Sequence, residues 1–272
     1  MHTMVQWLLL LPALILLRHL VGVVVGLIAQ ALERREKATY DSRILSVVFR
    51  ETVARSMFSL LTPLAFRRAP PRPRPHDPLP AVLLVRGAPW SLASMSLLEV
   101  YLRQRGFQRV WTAPVARRDM ELEDRAKELT AVVERFCTES EADQIDIVAH
   151  GLGGVVAAWS LTHGLLDGRV RRLITLGTPW KGTRTAVFLH DSVASGAQPG
   201  AHHLDGLLPP VVPNLSIWCP EDPFVVPADS ARASEANSVA IDGAGHVGLL
   251  ASARAFRAVQ TALVHPLPEA PH

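Results

Sequence analysis

From residue 81 onward, short runs rich in Val, Ile and Leu alternate with longer stretches whose apolar side chains recur every three or four positions. AVLLV (81–85), FQRVWTAPV (107–115), QIDIVAH (144–150), VRRLITLG (170–177), NLSIWCP (214–220) and NSVAIDG (237–243) read as strands. Helices are predicted at 92–105, at 119–137, in GLGGVVAAWSLTHGLL directly after His150, and at 250–264. Strands that are apolar without alternation are covered on both faces. The pattern therefore predicts an open, doubly wound, mostly parallel α/β sheet over 81–266, followed by a short tail at 267–272.

Upstream the pattern changes. From Trp7 to Ala29 the chain is apolar except for Arg18 and His19. At 1.5 Å per residue this run reaches roughly 34 Å, against a bilayer core of about 30 Å. A transmembrane helix is predicted within an N-terminal membrane segment, 1–33. A signal peptide fits less well, because no Lys or Arg precedes the run and no small-x-small cleavage site follows it. A shallow hairpin with Arg18 and His19 snorkelling at its tip is the other reading.

Residues 34–66 form a basic arm. Within it, 41–61 has apolar side chains at 44, 45, 47, 48, 49, 53, 57, 58, 60 and 61, with Arg43, Arg50, Glu51 and Arg55 largely between them. That spacing predicts an amphipathic helix, lying either on lipid headgroups or on the globular domain as a cap. Residues 67–80, RRAPPRPRPHDPLP, read as an extended linker of roughly 43 Å. A chain beginning at Pro80 is accordingly expected to be soluble, and the full chain to stay with membranes.

Composition narrows the function classes. Of 272 residues 49% are hydrophobic and 19% charged, which excludes whole-chain disorder. The two cysteines, 137 and 219, exclude a disulfide scaffold and a thiolate zinc cluster. The net charge of +3 divides into +6 over residues 1–80 and −3 over 81–272. The positive charge thus sits beside the apolar segment, and no nucleic-acid partner is expected. Arg34, Arg35, Lys37 and Arg43 follow the span, so the positive-inside rule predicts a single-pass protein with a cytoplasmic globular domain.

The candidate chemistry lies where the third strand meets its helix. Asp146-Ile-Val-Ala-His-Gly-Leu-Gly-Gly resembles the nucleophile elbow of the α/β-hydrolases, the bacterial lipases in particular: a strand, a tight G-x-S-x-G turn and a helix. Ala149 stands at the first small position. Gly151 stands where the family has its nucleophilic Ser. Other segments resemble the family in order and spacing. Ala81–Ala88 is similar to its first strand and "HG" loop, with Arg86 for the usual His. Leu176–Thr183 is similar to its "LGTP-x-x-GT" turn, with Trp180 for the usual His.

The resemblance implies an acid at Asp222, in Cys219–Pro227, and a base at His246, in Gly243–Leu250. It also implies oxyanion-hole N–H groups at Ala88 and Leu152. No cofactor is implied. Gly151-x-Gly153 followed by Val156 lacks the third small residue of a dinucleotide fingerprint.

Without an Oγ at 151 no acyl-enzyme forms there, so the resemblance implies a pseudo-hydrolase that binds a lipid, an acyl ligand or a protein partner. The alternatives are an active lipase or esterase and a chain in which Gly151 replaces a Ser present in otherwise identical proteins. The active enzyme would use Ser91, Ser94, Cys219 or a water activated by His246 and Asp222. Ser160 lies too far along the helix. His190, His202 and His203, with Asp191 and Asp205, match no metal-ligand spacing. The stretch 181–213 reads instead as a lid, with Trp180, Phe188, Leu204, Leu207 and Leu208 covering a lipophilic pocket or facing a membrane.

Overall fold

The computed structural model describes residues 2–33, 43–61, 78–87, 92–113, 120–188 and 196–267. Side chains of the first helix are described over 13–28 and those of the second over 45–61. Most of the linker, from 62 to 77, and the last residues, 268–272, lie outside the described residues.

Six strands form one sheet: β1 (Val82–Val85), β2 (Val110–Thr112), β3 (Ile145–His150), β4 (Val170–Leu176), β5 (Asn214–Trp218) and β6 (Ser238–Ala240). Their order is β2-β1-β3-β4-β5-β6, with every neighbouring pair parallel. Each strand falls inside the run that predicts it, shorter than that run by one to six residues. The α-helices of the domain are α3 (Ser96–Gln104), α4 (Leu122–Ser140), α5 (Leu152–Thr162) and α6 (Ala253–Val264).

Alternate strand residues feed two cores, as the pleat requires. Leu83, Val85, Ile145, Ile147, Ala149 and Leu173 pack with Leu129, Val133 and Phe136 of α4 and with α5. Val82, Leu84, Val148, Ile174, Leu176 and Ile217 pack with Leu98 and Leu102 of α3 and with Phe256, Val259 and Leu263 of α6. A one-residue slip would exchange the two sets, so the register is fixed by burial on both faces. Asp146 adds a polar pin. It is fully buried and accepts two hydrogen bonds from Arg171, Nε to Oδ1 at 2.9 Å and Nη2 to Oδ2 at 2.7 Å.

Two helices precede the sheet: α1 (His2–Glu33) and α2 (Arg43–Leu61). The predicted span, 7–29, lies inside α1. Among the described residues, no helix is long and apolar enough to cross a membrane. The described side chains of α1 cover only sixteen positions, roughly 24 Å of helix. α1 does not stand clear of the domain. His19 and Val23 are buried, and at Gly26 the helix comes so close to Pro223 that a side chain there would overlap the Pro223 carbonyl.

For α2 the choice between headgroup helix and cap is resolved by packing. Val47, Glu51, Ala54 and Phe58 are buried along one stripe, and Ala54 and Phe58 join the second core. The stripe corrects the amphipathic reading. Leu45, Phe49, Val53 and Leu60, apolar positions that were to face either lipid or the domain, are exposed, whereas Glu51, Thr52 and Ser56 are buried. Their helical spacing is sound. The side that meets the domain is the more polar one: Glu51 accepts from two backbone N–H groups of the domain, and Ser56 Oγ lies 3.2 Å from His19 Nδ1 of α1.

Candidate functional site

The strand order reverses between β1 and β3, and in open α/β sheets ligands bind beyond the carboxyl ends of the strands at such a point. β3 ends at His150, Gly151 makes the turn, and α5 starts at Leu152. Gly151 has φ +53° and ψ −128°, a backbone conformation that L side chains rarely adopt. Its N–H donates to the carbonyl of Leu176 at 2.9 Å, and its carbonyl accepts from Thr178 Oγ1 at 3.0 Å. The turn is thereby tied on both sides to the segment that follows β4. Thr178, in the Leu176–Thr183 motif, is a structural tether that the motif resemblance did not assign.

The structure brings Asp222 and His246 to this turn. His246 Nδ1 lies 2.8 Å from Asp222 Oδ2. Asp222 Oδ1 accepts from the N–H groups of Phe224 (2.7 Å) and Val225 (3.0 Å), which fix the carboxylate. The other imidazole nitrogen faces the elbow. A Cβ added to Gly151 would lie 3.2 Å from His246 Nε2. Gly151, Asp222 and His246 therefore converge, with the hydroxymethyl position between the turn and the ring left empty of side chain by the residue type.

Burial disfavours the charged form of His246, but the Asp222 carboxylate, its hydrogen bond and the Glu51 charge outweigh burial and raise the pKa above the ordinary imidazole value. Burial, then the charge on His246, hold His150 well below the ordinary histidine range. His150 lies beside His246 with ring centroids 4.6 Å apart and the rings tilted by 51°, and its Nε2 lies 3.3 Å from the His246 carbonyl oxygen.

Of the two expected oxyanion groups, Leu152 is the first residue of α5, so its N–H belongs to the open end of the helix. Ala88 lies outside the described residues, as does Ser91. Gly87, the last described residue before them, lies against the elbow: a Cβ there would sit 2.7 Å from the His150 carbonyl oxygen and 2.9 Å from Leu152 N.

The substitute nucleophiles fare differently. Ser160 donates to the Val156 carbonyl at 2.8 Å, one turn back along its own helix. Cys219 donates to Glu221 Oε2 at 3.3 Å and accepts from Gly245 N–H at 3.2 Å. Burial first, then the Asp222 charge, push its thiol pKa up, so it stays protonated and unreactive. Ser94 is fully buried in a 3₁₀ turn, Leu92–Met95.

In the 181–213 stretch, Trp180 and Leu207 belong to the first core and Leu204 and Leu208 pack against it, so these four correct the expectation of a lid surface. Phe188 is exposed, as is Val187 beside it. His190 and Asp191 lie outside the described residues. His202 and His203 stack on one another, and His203 lies 3.5 Å from Glu123. Among the described residues, no group of three or more His, Cys, Asp or Glu side chains is arranged to hold a metal ion.

One further residue joins the site without having been expected there. Glu51, on α2, is fully buried and accepts from the N–H groups of Val247 (3.0 Å) and Gly248 (2.9 Å), the two residues after His246. The signal in the sequence was a carboxylate on the same helical stripe as Val47, Ala54 and Phe58.

Among solved structures the chain is similar to Aspergillus fumigatus lipase B, with a TM-score of 0.60 and 17% identity over 71% of this chain and 54% of that one. It is also similar to the product of the gene lin2722 from Listeria innocua, with a TM-score of 0.55 and 14% identity over 71% of this chain and 97% of that one. Bacillus licheniformis lipase BlEst2 in its mature form gives a TM-score of 0.55 and 14% identity over 72% and 96%. The globular part has the α/β-hydrolase fold. The match spans about half the length of the Aspergillus lipase (54%), and nearly all of the other two proteins (97% and 96%). No family model matches the sequence, and no curated protein does. β3, the Gly151 turn and α5 form a strand–turn–helix, and Asp222 and His246 follow it in the chain.

Proposed function

We propose that this chain is a membrane-anchored, non-hydrolytic relative of the lipases and esterases that binds a lipid or another acyl-ester-like molecule. The single observation that carries the proposal is Gly151. The turn has the strained geometry of an elbow and the His246–Asp222 pair faces it, but the residue has no side chain to attack a carbonyl. Binding needs no such atom. The N–H groups at the start of α5 and the imidazole of His246 are groups of the kind that hold a carbonyl or carboxylate oxygen. A protein partner at the same cleft is a variant of this reading.

A second reading rests on the intact 2.8 Å contact between His246 and Asp222. A water in the space of the lost hydroxymethyl group, activated by that pair, would make the protein a slow ester hydrolase. Fluorophosphonate labelling with acyl-ester turnover separates the two. The non-hydrolytic protein takes up no covalent label and gives no turnover above buffer. Labelling within the cleft, or turnover that His246→Ala abolishes, would overturn it.

Support for the membrane comes from the outward sides of both N-terminal helices. Leu14, Leu17, Val21, Val24, Val25 and Ile28 of α1 are exposed, as are Leu45, Phe49 and Val53 of α2. Exposed apolar surface of that extent marks an interaction face. The opposite side of α1 is packed on the domain at His19, Val23 and Gly26, which favours a helix lying in the bilayer surface over one crossing it alone. Were α1 to cross the bilayer instead, the cationic cluster Arg34, Arg35, Lys37 and Arg43 after it would orient the domain to the cytoplasmic side.

A further inference from the structure

The histidine loop is not held by the hydrolase domain alone. After Gly245 and His246 the chain enters a 3₁₀ turn, Val247–Ala251, and such a start leaves its first N–H groups without partners inside the turn. Burying them without acceptors would be costly. The acceptor comes from a residue 196 and 197 positions earlier in the chain: Glu51 Oε1 takes the Val247 N–H and Oε2 takes the Gly248 N–H. The fit is close on the other side too. Gly245 has φ +77°, and a Cβ there would come within 2.6 Å of Glu51 Oε2. Arg55, one turn along α2, lies 4.5 Å from the centroid of the Phe224 ring, in the segment that fixes Asp222.

We infer that Glu51 is a positioning residue for His246: by gripping the two peptide groups that follow the histidine, the N-terminal arm sets where the imidazole sits over Gly151. The arm is then part of the site as well as an anchor. The inference rests on the reading above only in taking His246 as the working group, and it holds whether the site binds or hydrolyses. Four charged or titratable groups face His246: Asp222 from the acid loop, Glu51 and Arg55 from α2, and His150 from the end of β3. Among them Asp222 and Glu51 favour the imidazolium, and Arg55 opposes it.

The test uses the full-length chain in detergent micelles, labelled with ¹⁵N at histidine, with the His246 ring signals assigned by their loss in His246→Asn. Glu51→Gln keeps the shape but has one oxygen for two donors and no charge. Its expected effect is a fall of the His246 titration midpoint by about half a unit or more, with Glu51→Asp recovering part of the fall. A folded Glu51→Gln protein whose His246 midpoint matches the parent would overturn the inference. Hydrogen exchange in the unmodified chain gives an answer even if the variants fail to fold. The Val247 and Gly248 amides should be protected as strongly as those of β3; free exchange at both would also overturn it. Neither measurement uses an ester or a ligand, so a failure of the non-hydrolytic reading leaves both intact.

Discussion

At the scale of single residues, the proposed function turns on the side chain that residue 151 does not have. Gly151→Ser should restore ester hydrolysis, measurable with a short-chain nitrophenyl ester, because the new Oγ would hang from a Cβ 3.2 Å from His246 Nε2. Continued inertness would mean that the pocket, or the loop carrying Arg86, has also lost its function. The same change should lower stability, by about 1–3 kcal/mol in chemical denaturation, since a non-Gly residue at φ +53° is strained and the contact with the ring is tight. The restored activity should depend on pH in a defined sense. His246 works as a base only when neutral, and its pKa is raised, so kcat/KM should climb with pH through a midpoint above the ordinary 6.5. The linked stability has the opposite sense. The stabilising contribution of protonated His246 is complete below the ordinary value and is lost as pH rises through the folded one.

At the scale of elements, the arm changes what truncation should do. A chain beginning at Pro80 was expected from sequence to be a soluble domain. In the fold that cut removes Ala54 and Phe58 from the second core and takes the Glu51 acceptors away from Val247 and Gly248. The truncated domain should therefore melt well below the full chain and aggregate. Equal melting temperatures would mean that α2 adds nothing to the domain. A milder probe is Phe58→Ala, expected to cost about 3 kcal/mol because Phe58 is nearly fully buried. The helices of the domain itself were legible: in α4, Leu122, Ala126, Leu129, Val133 and Phe136 recur at three and four positions and are all buried. In α2 the same periodicity misleads. Its apolar residues are numerous enough to suggest one face, while the domain takes the face that carries Glu51, Thr52 and Ser56.

At the scale of the whole molecule, the proposed membrane anchor rests on the outward apolar sides of α1 and α2. Carbonate extraction should leave the full chain in the membrane pellet; recovery in the supernatant would remove the anchor from the proposal. Replacing Leu45 and Phe49 with Ser should weaken vesicle binding without lowering the melting temperature, because both side chains are exposed.

The sequence by itself determined the order and type of the strands and helices of the domain, since hydrophobic period and glycine placement are local properties of the chain. It also determined that residue 151 brings no nucleophile. Tertiary structure alone decided which side of the arm meets the domain, and that a carboxylate at position 51 reaches the backbone beside His246. Those contacts join segments nearly two hundred residues apart. Local periodicity carries no record of which distant donor a buried acceptor will meet.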